Sequence, residues 1–206
     1  MNFRFEKPII YLITTGEATD ANFFAAQSKI LDIVHIAVEE KVSLIQIREK
    51  RLSARMLFEL TISVAEITRR SETRLVVNDR ADIALAAKAD GVHLAANSLP
   101  VDVVRRNFTK DFIIGASTHT ADAAEKAARD GADFVVFGPV FKTPGKGEPV
   151  GLEALSEVCE KLNPLPVIGL GGIDGTRKQS VLDAGGAGFA AIRYLNDPEK
   201  LRDIAP

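Results

Sequence analysis

The chain has 206 residues, a formal net charge of −2, 46% hydrophobic residues and 26% charged residues. That length suits one domain with a large core and is short for two, and the composition is that of a soluble globular protein. The near-neutral balance excludes a general electrostatic footprint for nucleic acid or a membrane surface, so any anion site must be local.

In chain order, apolar runs predict strands at 9–14, 44–49, 75–78, 91–94, 112–117, 134–140, 167–171 and 188–193. Between and after them, helical patterns run over 22–39, 54–70, 81–88, 101–107, 121–130, 152–161, 176–184 and 198–204. Several strand candidates (IIYLIT, FVVFGPV, PVIGLGG) are nearly continuous hydrophobic runs, the pattern of parallel strands covered on both faces. Thr120 and Asp174 stand just before helical runs, as N-caps do. Eight β-then-α units predict a single (β/α)8 TIM barrel of parallel strands over residues 1–206, with an open doubly wound sheet as the alternative.

Three further features set the context. The single cysteine, Cys159, excludes an internal disulfide and a multi-thiolate metal site, and its helical run predicts a buried small hydrophobe. No apolar run approaches the roughly 18 residues of a membrane helix. The N-terminal MNFRFEKPII lacks the apolar stretch and cleavage site of a secretory signal, so a reduced, cytoplasmic setting is expected.

In a barrel, functional residues belong at the C-terminal ends of the strands. Gln46, Arg48 and Lys50 lie at the end of the second strand, and the period of two sends all three to one face. An amide, a guanidinium and an ammonium in one row suit an anionic ligand at a barrel mouth. A strand running out into solvent with ordinary surface charges would look the same. Asn78 and Asp79 end the third strand; Asp79 suits Mg²⁺, which prefers oxygen ligands, or equally a helix N-cap.

Ser117 and His119 end the fifth strand, where a hydroxyl can bind phosphate or a substrate heteroatom and an imidazole can exchange or position protons. His93 is expected to face inward, held by hydrogen bonds. The glycine- and proline-containing loop after the sixth strand carries Thr143 and Lys146, and reads as a lid over an anion or as a plain exposed loop. Gly171 and Gly172 follow the seventh strand and open a helix, a common phosphate-binding turn in barrels. Together these features favour a substrate pair bearing a diphosphate and a phosphate.

The segments YLIT at 11–14, QIREK, NDRADIALAAKADGVHL, IGASTHT, GADFVVFGPVFKTPGK and PVIGLGGI, in that order, resemble the superfamily of thiamine phosphate synthase and the TenI-type thiazole tautomerase. The resemblance is closer to the synthase and covers most of the chain. It implies a transferase of thiamine biosynthesis that joins hydroxymethylpyrimidine diphosphate to thiazole phosphate. Gln46, Arg48, Lys50 and Asn78 would then bind the diphosphate, Asp79 would hold Mg²⁺, and Ser117 would lie near the pyrimidine. Thr143 and Lys146 would come from the closing loop, with Lys50, Ser117 and Lys146 serving catalysis. Gly171, Gly172, Ile192 and Arg193 would bind the thiazole phosphate, and the resemblance also implies a homodimer.

Three positions depart from the family pattern. Ser98 stands where a second Mg²⁺-binding Asp is usual, Arg193 where a phosphate-binding Ser is usual, and Thr15 where an Asp commonly follows the first strand. The alternatives are therefore a metal-independent tautomerase acting through His119, or a non-catalytic binder of a phosphorylated thiamine precursor.

Overall fold

The structure is a computed structural model that describes residues 8–204, so most of the segment read above for a signal lies outside the described residues. Eight strands alternate with helices along the described chain: β1 (Ile9–Ile13), β2 (Leu44–Ile47), β3 (Arg74–Asn78), β4 (Gly91–Leu94), β5 (Ile113–Thr118), β6 (Phe134–Phe137), β7 (Val167–Leu170) and β8 (Gly188–Ala191). The helices that follow them are α1 (Phe23–Glu39), α2 (Ala54–Thr68), α3 (Ala81–Ala86), α4 (Val101–Asn107), α5 (Ala121–Arg129), α6 (Gly151–Leu162), α7 (Lys178–Asp183) and α8 (Pro198–Arg202). Every strand pairs in parallel with the next, and β1 also pairs with β8, so the sheet closes into a barrel. An open sheet would leave β1 or β8 as an edge, and the Tyr11–Ala190 register rules that out.

Two apolar layers account for the continuous hydrophobic strands. Ile9, Tyr11, Ile13, Leu44, Val76 and Phe134 pack inside the barrel, while residues such as Leu12, Ile45, Val77 and Ile114 meet the helices outside. Because both faces are covered, alternation within a strand is between two buried layers and not between core and solvent. Gly115 illustrates the packing: a Cβ there would lie 2.2 Å from the Phe134 ring and 2.8 Å from His93 Nδ1, so only glycine leaves room for both.

The boundaries shift where the chain reaches the rim. β2 ends at Ile47 and not at 49, and β6 ends at Phe137 because Pro139 has no N–H for a ladder bond. Thr120 caps α5 as expected, accepting from the Ala123 amide. Asp174 caps no helix; its Oδ1 accepts from the Thr176 and Arg177 amides, and that tight turn delays α7 to Lys178. Cys159 is half-buried on α6, not fully buried, because it sits at the edge of the helix's apolar stripe.

Candidate active site

The polar residues expected at the strand ends do meet at the C-terminal mouth of the barrel, but in two layers. Gln46, Asn78 and His93 are buried inside, on β2, β3 and β4, while the Lys50 side chain is 46% exposed at the rim. Gln46 therefore does not share the surroundings of Lys50, although alternation placed them on one face. The strand has ended at Ile47, and the residues beyond it climb out of the barrel.

Gln46 Nε2 lies 2.6 Å from the Tyr11 hydroxyl, and burial pushes that phenol up despite this bond, so Tyr11 stays protonated. His93 Nε2 lies 2.8 Å from Ser117 Oγ, which confirms an inward-facing histidine held by a hydrogen bond. Burial in the barrel, between the Tyr11 and Phe134 rings, pushes the His93 imidazole down to about 4 against the usual 6.5; the Asp79 charge opposes this, and Arg48 and Lys50 add to it. A neutral ring has one N–H. His93 Nδ1 is buried without a partner, and an orphaned N–H costs more than an orphaned lone pair. The N–H therefore belongs on Nε2, donated to Ser117 Oγ, and the Ser117 hydroxyl hydrogen is free to point into the mouth.

Asp79 sits immediately beyond β3, at φ 59°, a left-handed conformation that Asp tolerates better than most side chains. It does not cap α3, whose N-cap is Arg80 with no side-chain cap. Its carboxylate turns toward the mouth instead. Oδ1 accepts from the Ala95 amide at 2.8 Å, Oδ2 accepts from Asn78 Nδ2 at 2.7 Å, and Lys50 Nζ stands 3.6 Å from Oδ2. Burial favours the neutral acid, but the Ala95 amide, the Ser98 hydroxyl, the Lys50 charge and the Asn78 amide outweigh it and hold the carboxyl below its ordinary value. Ser98, the departure singled out in the sequence, thus stands beside Asp79 and favours its charged form.

Magnesium is commonly held by one or two carboxylates plus waters and phosphate oxygens. Asp79 offers one carboxylate with lone pairs remaining, Ser98 adds a hydroxyl, and no group of three His, Cys, Asp or Glu side chains gathers among the described residues. This donor set fits an ion completed by ligand oxygens, not one caged by protein.

The opposite rim is built differently. The segment after β6 lies on the turn after β7: Val140 N donates to Leu170 O at 2.8 Å and Phe141 N to Gly171 O at 3.0 Å. Gly171 and Gly172 have φ of 106° and 65°, and Cβ atoms there would come within 2.6 Å of Pro139 and 2.8 Å of the Lys142 carbonyl. Glycine is required twice over, by backbone angle and by space. Thr143 Oγ1 bonds back to Phe141 O, beside Gly171. Beyond it, Gly145 and Gly147 have open surroundings and Lys146 is exposed, so the base of the loop is pinned while its tip extends into solvent.

His119 Nδ1 lies 2.5 Å from Gly138 O. A carbonyl only accepts, so Nδ1 carries the hydrogen, and the ring ties β5 to the start of that loop. Ile192 packs toward the barrel interior and Arg193 is exposed in the turn after β8.

Two residues of this region were not singled out in the sequence. Arg177 donates to Gly172 O at 2.7 Å and lies over the Phe141 ring, 5.3 Å from its centroid, joining the glycine turn to the loop. Its signal was a cation three residues past an Asx turn. Glu49, between Arg48 and Lys50, is 2% exposed. Its signal was a carboxylate on the outward face of a strand end, where it needs buried donors.

Known proteins resemble this chain in sequence and in fold. The thiamine monophosphate synthase family (TMP-TENI) matches residues 10–195. The thiamine-phosphate synthase of Roseiflexus castenholzii is 41% identical over 197 residues, covering 93% of this chain and 83% of the relative. That of Caldanaerobacter subterraneus is 39% identical over 182 residues, covering 87% and 84%. Among solved structures, the thiamine phosphate pyrophosphorylase of Pyrococcus furiosus superposes with a TM-score of 0.77 at 31% identity, over 95% of this chain and 94% of that one. A 3-hexulose-6-phosphate synthase superposes with a TM-score of 0.68 at 16% identity, over 95% and 99%, a likeness of fold alone.

Proposed function

The chain belongs to the thiamine monophosphate synthase family, and we propose that its barrel mouth joins hydroxymethylpyrimidine diphosphate to thiazole phosphate, giving thiamine phosphate and diphosphate. The relatives carry the synthase name, so the tautomerase alternative is not needed. The observation that carries the site assignment is the cluster of Lys50, Asn78 and Asp79 at the ends of adjacent strands, with the charges of Arg48, Lys50 and Asp79 all acting on the buried His93.

In this reading the C–O bond between the pyrimidine methylene and the diphosphate breaks, and its electron pair leaves with the diphosphate. The thiazole nitrogen then closes a C–N bond on the pyrimidine-methyl cation. The demand on the protein is to stabilise the negative charge that develops on the departing oxygens. Arg48 and Lys50 supply two cations there, with Asn78 and Gln46 as amide donors at the inner end. Asp79, with Ser98 beside it, would hold Mg²⁺, which supplies further positive charge to phosphate oxygens when bound. The Ser117 hydroxyl, fixed by neutral His93, faces the pyrimidine as a donor.

Thr143 and Lys146 approach from the loop after β6, where a closing tip would exclude water and add a cation. On the other rim, backbone amides of Gly171 and Gly172, the Ile192 backbone and Arg193 receive the thiazole phosphate. None of the described helices is long and apolar enough to cross a membrane, and a cytoplasmic setting belongs to this same proposal.

Incubating the protein with both substrates, with and without Mg²⁺, and assaying thiamine phosphate tests the reaction. Product that depends on both substrates and falls on chelation is expected. No product at high enzyme concentration overturns the proposal.

A further inference from the structure

Glu49 lies between two cations assigned to the diphosphate, yet its carboxylate faces away from the mouth. It is 2% exposed, and both oxygens are used on the neighbouring loop: Oε1 accepts from the Gly16 amide at 3.0 Å and Oε2 from the Ala18 amide at 2.8 Å. Those residues follow β1. The same loop is held elsewhere by Arg48 N donating to Thr14 Oγ1 at 2.8 Å, by Arg51 Nη2 donating to Gly16 O and Glu17 O, and by Ser53 N donating to Asp20 Oδ1.

What this loop presses against matters more than what holds it. Gly16 lies on the Arg48 side chain: a Cβ added at Gly16 would stand 3.2 Å from Arg48 Nη1, and the φ of 80° already disfavours any other residue. A guanidinium has five donors in a rigid fork, and its value for a diphosphate depends on how it is aimed. Left to itself, a long side chain loses rotamer freedom on binding, and a backing wall supplied before the ligand arrives removes part of that cost.

We propose that Glu49 is a positioning residue for the diphosphate grip: its carboxylate seats residues 16–18 against the Arg48 guanidinium and so sets how tightly a diphosphate is held. The inference rests on the assignment of Arg48 to the diphosphate. Glutamine is the informative replacement. Its carbonyl can still accept one of the two amides, but its NH₂ faces the other as donor against donor, so the loop loses one anchor with little change of volume.

The test is a double-mutant cycle read by calorimetry of inorganic pyrophosphate with Mg²⁺, on the full chain carrying Glu49→Gln, Arg48→Ala or both. Losing one charge-assisted hydrogen bond to the loop should weaken pyrophosphate about tenfold. With Arg48 already removed, the same Glu49→Gln change should cost less than about twofold, because nothing remains to aim. In turnover, kcat/KM for the diphosphate substrate should fall, since Arg48 serves both binding and departure of the diphosphate, while KM for the phosphate partner stays near its original value.

Gly16→Ala provides a second route, since it pushes on Arg48 with Glu49 intact and should show the same coupling. Equal losses from Glu49→Gln with and without Arg48, or unchanged affinity in both Glu49→Gln and Gly16→Ala, overturn the inference and leave the diphosphate assignment standing. Unchanged affinity in Arg48→Ala alone overturns that assignment, and the inference with it.

Discussion

The two rims of this barrel mouth are built by opposite means. From β2 to β5 the rim is made of side chains: Gln46 bonded to Tyr11, Asn78 and the Ala95 amide bonded to Asp79, His93 bonded to Ser117, Lys50 in an ion pair with Asp79, and Arg48. From β6 to β8 it is made largely of backbone, with Gly171 and Gly172 packed against the segment 139–143 and a layer of Val136, Leu170 and Ile192 facing the interior. In the proposed reaction, each ligand part asks for something different. A diphosphate that must leave requires charge placed where electrons accumulate, and side chains supply full charges. A phosphate that only anchors its molecule can be held by N–H dipoles, which need no counter-charge.

The largest expected effect comes from removing charge on the side-chain rim. Lys50→Ala should lower kcat/KM by about 10²-fold or more, while the melting temperature barely moves, because a half-exposed ion pair contributes only about 0–1 kcal/mol. Steady-state kinetics with a thermal melt checks both. A large stability loss with intact turnover would assign Lys50 to structure and erase the contrast.

Next in size is a pH effect confined to the same side. His93 is buried neutral with its pKa pushed down to about 4, mainly by desolvation, whereas the unfolded chain binds a proton near the ordinary 6.5. Between those values the unfolded state takes up a proton that the folded state refuses, so stability must fall as pH drops from about 6.5 toward 4 and level off below. The full loss is on the order of 3 kcal/mol for a shift of this size. Urea denaturation at pH 7 and 4.5 measures it, and His93→Gln should flatten that part of the profile. A slope unchanged in His93→Gln would show that other groups carry it.

A smaller effect is expected on the glycine rim. Gly171→Ala forces a side chain into φ 106° and against Pro139, and should destabilise the fold by about 1–3 kcal/mol. KM for the thiazole phosphate should rise, and KM for the pyrimidine diphosphate should not. If both rise together, the two rims act as one site.

Smallest is a gain. Ser98→Asp places a second carboxylate beside Asp79 and should tighten Mg²⁺ by several-fold in the presence of pyrophosphate, on the general rule that ligand charge raises cation affinity. Calorimetry of Mg²⁺ with the pyrophosphate complex reads it. Weaker binding would mean that ligand oxygens alone complete the ion's shell.

Eight β-then-α units and their buried strands were legible because hydrophobic periodicity and helix signals are local properties of the chain. So were the chemical kinds of the mouth residues, since a barrel puts strand ends on one rim whatever its details. The layering of Gln46 below Lys50 was not legible, because it depends on where β2 stops, and that is set by pairing with β1 and β3. Asp79 could be read as a helix cap or a metal ligand from its neighbours alone. Only the tertiary structure shows that it caps no helix and accepts instead from the Ala95 amide, 16 residues away.

Glu49 marks the same boundary most clearly. Alternation alone sends it away from Arg48 and Lys50, and nothing local says what it meets. The closed barrel brings the loop after β1 against β2, giving a buried carboxylate two amides 33 and 31 residues distant. The sequence by itself therefore determined the fold class and the chemical inventory of the mouth, because both follow from local pattern. The tertiary structure alone decided which of those groups line the mouth and which hold its loops in place, because hydrogen bonds across the barrel join residues far apart in the chain.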